Sequence, residues 1–140
     1  MIGVLIATHG KFAEGILDSV ELIMGKQENC QTLSLCHGNS IEDFSANILM
    51  AIKDLDRGAG VIIFTDLFSA SPYNQTALNH HNLTNIDYRL ISGVNLPMLI
   101  EAFNQRMLGS TLEETTHRSL ETGMDGIKEF FTELNKQTNN

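Results

Sequence analysis

The sequence predicts an α/β protein with a doubly wound, mainly parallel sheet, helices covering both of its faces. Residues 2–7 and 61–64, I-G-V-L-I-A and V-I-I-F, are apolar without polar alternation, as strands buried on both faces are. Stretches with helical spacing separate the strand-like runs, and the connections are short. Both apolar runs also stop at a polar pair, Thr8-His9 in one case and Thr65-Asp66 in the other.

Each element has its own signal. After the first strand, Thr8-His9-Gly10 turns the chain, and Phe12, Ile16, Val20 and Ile23 mark a helix face that ends at Gly25. Gln31 to Cys36 alternates with period two, as a half-covered strand near a sheet edge does. Ser40 and Asp43 form a capping pair for a helix with Ile41, Phe44, Ile48, Ile52 and Leu55 on its apolar side, and Gly58 and Gly60 end it. Val61 to Phe64 is the third strand. Ser71 is placed to cap a helix that begins at Pro72 and runs to about Asn79. Tyr88 to Ser92 reads as the fourth strand, and Gly93 to Pro97 leads into a helix that ends near Arg106. Thr111 with Glu114 opens a last helix carrying Leu120, Met124, Ile127, Phe131 and Leu134, which Gly123 and Gly126 are placed to break. Residues 1–134 are expected to form one domain and residues 135–140 a flexible C-terminal tail.

Right-handed crossovers between four such strands favour the order 2-1-3-4, which sets strands 1 and 3 side by side. The topological switch point then falls between them, and His9, Asp66 and Ser71 meet at one sheet edge.

Composition excludes several classes of function. A net charge of −8, from 9 Lys+Arg against 17 Asp+Glu, argues against nucleic acid and anionic membranes and leaves room for a basic protein partner. There is no apolar run of about 18 residues and no basic, signal-like start, so a cytoplasmic location is expected. Cys30 and Cys36 read as reduced thiols, with neither a disulfide framework nor a zinc site behind them.

The chemistry centres on His9. An aspartate that holds one ring nitrogen fixes the tautomer and leaves the other nitrogen as a nucleophile. An acyl carbon and a phosphorus are both candidate electrophiles. Ser71 could complete a hydrolase triad, but no G-x-S-x-G elbow holds it, and the helix starts at this sheet edge suit a phosphoryl group better. No phosphate-binding P-loop, G-x-G-x-x-G or magnesium-ligand cluster supports a kinase. Histidine phosphatases place an arginine before the nucleophile where this chain has Thr8. A phosphoryl group held transiently on His9 and passed between proteins, with no metal and no cofactor, is the reading that remains. Its charge would rest on Thr8, Gly10, Lys11, Ala70 and Ser71. His37, although it follows the second strand, reads as a loop residue, His80 and His81 as a helix end, and His117 as a surface residue. Phe12, Phe68 and Met98 read as packing, or as a docking ring for partners.

A-T-H-G at Ala7 to Gly10, D-L-F-x-x-S-P-x-N at Asp66 to Asn74, S-G-V-N-L-P-M-L at Ser92 to Leu99 and E-T-G at Glu121 to Gly123 are motifs with a known likeness. Together they resemble the IIA proteins of the mannose-type bacterial sugar phosphotransferase system. The resemblance implies a phosphotransferase component in which His9 accepts phosphate on Nε2 from the phosphocarrier HPr and passes it to a IIB component, with Asp66 orienting the imidazole. A membrane IIC/IID complex would be reached only indirectly. The resemblance also implies a homodimer with an exchanged C-terminal antiparallel strand, whereas helical periodicity implies a helix there; both expectations stand. Ser69-Ala70 departs from the family's usual Gly-Gly. A regulatory phosphoacceptor that reports sugar supply to a partner protein is the alternative function.

Overall fold

The computed structural model describes residues 1–138, and Asn139 and Asn140 of the expected tail lie outside the described residues. Its four strands are β1 (Gly3–His9), β2 (Cys30–Leu35), β3 (Val61–Thr65) and β4 (Tyr88–Ile91). They pair in parallel in the order β2-β1-β3-β4, the order the right-handed crossover rule favours. Among the described residues there are also six α-helices, α1 (Phe12–Met24), α2 (Ile41–Leu55), α3 (Ser71–Leu78), α4 (Leu96–Met107), α5 (Leu112–Asp125) and α6 (Phe130–Thr138), and a short 3-10 turn at His80–Asn82.

The alternation of side chains along β1 divides the core in two. Val4 and Ile6 join Ile62, Phe64 and Ile91 on one face of the sheet, under Val20 of α1 and Leu99 and Phe103 of α4. Leu5 and Ala7 join Val61 and Ile63 on the other, under Phe44, Ile48 and Ile52 of α2. Both faces are therefore covered, which is why β1 and β3 carry no polar alternation. β2 is an edge strand and half-buried throughout, in keeping with its period-two sequence.

Helix starts follow the capping signals with one shift. Ser40 Oγ accepts from Asp43 N–H at 3.2 Å, and Thr111 and Glu114 form a reciprocal capping box at 3.1 and 2.9 Å. Ser71, expected as a cap, is instead the first residue of α3, and Ala70 holds the cap position without a side-chain bond.

The last predicted helix is broken. α5 stops at Asp125, and a new helix begins once the Glu129 carboxylate accepts from the N–H groups of Phe131 and Thr132 at 3.0 and 2.7 Å. Of the two expectations for the C-terminal segment, this chain by itself shows the helix, α6, which continues through Asn135 to Thr138. A strand there needs an antiparallel neighbour for its backbone groups, and within one chain the segment satisfies them locally as a helix.

Gly123 explains part of the E-T-G motif. A Cβ at this position would lie 2.7 Å from Met98 Cε and 3.0 Å from Met98 Cβ, so α5 approaches α4 as closely as it does because the side chain is absent. Asn95 fastens the pair: its Nδ2 donates to the Gly123 carbonyl at 3.0 Å, and its Oδ1 accepts from Met98 N–H at 3.0 Å. Gly123→Val is expected to destabilise the fold by roughly 1–3 kcal/mol through overpacking. Urea unfolding checks this, and an unchanged midpoint would show that α4 and α5 part freely.

Candidate functional site

The strand order puts the ends of β1 and β3 next to each other, and one carboxylate joins them. Asp66 Oδ2 accepts from His9 backbone N–H at 2.9 Å and lies 2.8 Å from His9 Nδ1. The other oxygen, Oδ1, accepts from Leu67 N–H at 2.9 Å. Burial pushes the Asp66 carboxyl upward, but hydrogen bonds from the His9 backbone and ring, the charge of His9 and the Leu67 N–H outweigh it and hold the group below its ordinary value of 3.8. Asp66 is therefore a carboxylate and only accepts, so the proton of the shared bond sits on Nδ1. In the neutral ring Nε2 is then the nitrogen without a proton, on a side chain that is 45% exposed beside an aspartate only 15% exposed.

Backbone bonds hold both strand ends in place. Gly93 and Val94 of the S-G-V-N-L-P stretch donate to the carbonyls of Asp66 and Thr65 at 3.1 and 3.0 Å, which ties the fourth βα loop to the third. Thr65 Oγ1 donates to the Ile91 carbonyl at 3.1 Å. Gly10 takes a φ of +55°, a conformation glycine adopts without steric cost, and its N–H donates to the Leu35 carbonyl at 2.8 Å.

The structure changes the expected phosphate-facing set. Thr8 is fully buried, and its Oγ1 accepts from Ala13 N–H at 2.8 Å, so this hydroxyl caps α1 from beneath and does not face a ligand. The Gly10 N–H is likewise committed to Leu35. Lys11, exposed at the start of α1, and Ser71, whose hydroxyl makes no hydrogen bond among the described residues, keep their donors free. The Ala70 N–H makes only a long bond, 3.4 Å, to the Leu67 carbonyl. Among the described residues no hydrogen bond joins Ser71 to His9 or Asp66; Ser71 stands at the N-terminus of α3, which packs against β1.

Ser69, where the resemblance leads one to expect glycine, has a φ of +58°. A non-glycine residue held there costs about 1–2 kcal/mol. Asn74 fixes the strained loop, its Nδ2 donating to the Ser69 carbonyl at 2.9 Å and its N–H to Ala70 at 2.8 Å. No sequence spacing marked this role for Asn74, because a side-chain bond reaching back five residues is not part of any regular periodicity. Phe12, Leu67 and Phe68 are exposed around the site, with Phe68 edge-on to Tyr73 at 5.1 Å, while Met98 is core. His80 bonds Tyr88 at 2.8 Å and His117 pairs with Glu121 at 3.5 Å. Among the described residues no group of His, Cys, Asp and Glu is placed to hold a metal ion, and no helix is long and apolar enough to cross a membrane.

The Asp66 shift has a consequence for acid stability. A carboxyl with a lowered folded pKa adds stability that is complete above its unfolded pKa and is lost as pH falls through the folded value. Asp66→Asn is expected to remove that part of the acid-induced loss below about pH 4. Thermal unfolding of both proteins between pH 2 and pH 6 measures it, and parallel curves would show that Asp66 titrates alike folded and unfolded.

Comparison with known proteins identifies a family. A family model described as "PTS system fructose IIA component", EIIA-man, matches residues 3–120. The mannose-specific EIIAB component of the phosphotransferase system of Escherichia coli K12 is 32% identical over 127 residues, covering 91% of this chain and 39% of that protein. The chain thus spans about two fifths of the length of that relative. The fructose-specific EIIA component of Bacillus subtilis is 30% identical over 106 residues, 76% of this chain and 71% of that protein. Among solved structures, phosphotransferase component EIIA from Streptococcus agalactiae superposes with a TM-score of 0.86 at 30% identity, over 94% of this chain and 99% of that one.

Proposed function

Because the chain belongs to the EIIA-man family of phosphotransferase-system components, we propose that it is a phosphocarrier that receives a phosphoryl group from HPr on His9 and delivers it to a IIB component. The 2.8 Å bond between His9 Nδ1 and the depressed carboxylate of Asp66 carries this reading. With Nδ1–H held by Asp66, the Nε2 lone pair attacks phosphorus, the N–P bond of the donor phosphohistidine breaks, and the donor imidazole leaves with the electron pair. Asp66 stabilises the positive charge that the ring acquires and keeps the Nδ1 proton where it is. Delivery to IIB is the same displacement with His9 as the leaving group.

A phosphoryl group adds about −1.5 to −2 charges to a protein already at −8. The free Ser71 hydroxyl, the Ala70 N–H and the α1 start at Lys11 are the donors assigned to it, with the positive dipole ends of α1 and α3. Such neutral donors suit a carrier, because a group bound too tightly would not move on. Exposed Phe12, Leu67 and Phe68 offer partners an apolar ring around His9. A homodimer working in the cytoplasm, with the membrane complex reached through IIB, completes the reading.

Incubation with phosphorylated HPr followed by mass spectrometry tests it. The expected result is one acid-labile adduct at His9 that His9→Ala abolishes while circular dichroism stays unchanged; an adduct that persists in this variant would overturn the assignment. Asp66→Asn is expected to slow transfer by about 1.5–3 kcal/mol, the cost of a charged hydrogen bond, and wild-type rates would make the acid merely structural. Ser71→Ala should shift the transfer equilibrium away from His9 by about 0.5–1.5 kcal/mol, and an equilibrium unmoved in rapid-quench measurements would remove Ser71 from the phosphoryl-binding set.

A further inference from the structure

A second imidazole stands on the wall of the depression in front of His9. β2 runs beside β1 with Leu35 in register with His9, and the Gly10 N–H donates to the Leu35 carbonyl at 2.8 Å. The chain leaving β2 is thereby held against the chain leaving β1. Its next residues form a closed turn: Cys36 N–H donates to Asn39 Oδ1 at 2.7 Å, Asn39 N–H returns to the Cys36 carbonyl at 3.1 Å, and Gly38 takes a φ of +81°. His37 is on that turn. His9, Gly10, Leu35, Cys36 and His37 together line one open depression of about 370 Å³.

His9, His80 and His117 each have a polar partner, whereas the exposed ring of His37 has neither a hydrogen bond nor an ion pair among the described residues. The neighbouring segments carry charged groups of their own. Lys11 precedes α1 at its cap position, with an exposed side chain, and Glu14 in its first turn accepts from Ser34 at 3.5 Å. Asp66 at the end of β3 is committed to His9. From α2, Glu42 accepts from Ser40 at 2.9 Å, and Asp43 lines a neighbouring depression with Leu33 and Ser34. On the His37 wall itself, only the imidazole can become a cation.

We propose that His37 contacts the phosphoryl group carried on His9, donating an N–H to a non-bridging oxygen and adding a positive charge when it is protonated. The proposal rests on the phosphocarrier reading and deepens it. His37 makes and breaks no covalent bond: the N–P bond forms at His9 Nε2 and breaks at the donor imidazole as before. A phosphoryl group loses its second proton near pH 6, and an unperturbed imidazole gains one near pH 6.5. A phosphoryl dianion and an imidazolium in contact each favour the other. Phosphorylation of His9 must accordingly raise the proton affinity of His37, and acidification must favour the phosphorylated protein.

Two measurements on the full chain test this. The first is the equilibrium constant for transfer from phosphorylated HPr. His37→Gln, which keeps a neutral N–H donor, is expected to lower it about three- to tenfold at pH 6.5 and to leave it near wild type at pH 8. His37→Arg, a cation at both pH values, should hold or exceed the wild-type constant throughout. The second is an NMR titration of the wild-type His37 ring, which should move to higher pH when His9 is phosphorylated. An equally phosphorylated His37→Gln protein at pH 6.5, or a His37 titration indifferent to phosphate, overturns the proposal while leaving the carrier reading intact. Wild-type protein that takes no phosphate on His9 overturns the carrier reading and this inference with it.

Discussion

One carboxylate oxygen holds the site together. Asp66 Oδ2 receives both the backbone N–H and the ring of His9, so a single acceptor fixes where β1 ends, how the imidazole is turned and which nitrogen carries the proton. Its partner oxygen is satisfied by Leu67 N–H. A carboxylate with three donors is held ionised although it is largely buried, because the hydrogen bonds exceed the cost of desolvation. The bond spans two strands that are 57 residues apart in sequence, and it exists only because the sheet order sets those strands side by side.

Around that bond the fold divides its labour by depth. Below the sheet edge, Thr8 and Thr65 use their buried hydroxyls on backbone groups and make the strand ends rigid. Above it, the His9 ring and the His37 turn face solvent, and Ser71 is half-buried. A rigid base under an open rim suits the proposed carrier role, since enclosure would block the encounters with donor and acceptor. The loop 67–70 sits between the two regimes. It is strained at Ser69 and pinned by Asn74, and the bond from Asn74 shows how a loop lacking glycine at that position keeps its left-handed turn.

The principal elements of the fold were legible because burial writes itself into residue pattern. β1 and β3 are apolar up to their polar C-terminal ends because helices cover both faces; β2 alternates because it is an edge. Ser40 and Thr111 announced helix starts because a free N–H needs an acceptor nearby in sequence. The break between α5 and α6 was only half legible: the glycines were visible, but Glu129 as the new start was not, since a glutamate in that role is far rarer than serine or aspartate.

The sequence by itself determined that His9 and Asp66 would be brought together, because crossover handedness leaves few strand orders and both residues end buried runs. It determined as well that the site would have no arginine, since the residues of both loops can be read directly. Only the tertiary structure decided which donors face outward. Thr8 and Gly10 share the His9 turn with Lys11, yet the first caps α1 from within and the second bonds β2, and nothing local distinguishes them. It also decided the place of His37, which lines one depression with His9 because β2 pairs with β1 up to Leu35 and His9. Periodicity records whether a residue is buried, whereas the partner a polar atom finds depends on chain segments distant in sequence, and that information enters only when the sheet is assembled.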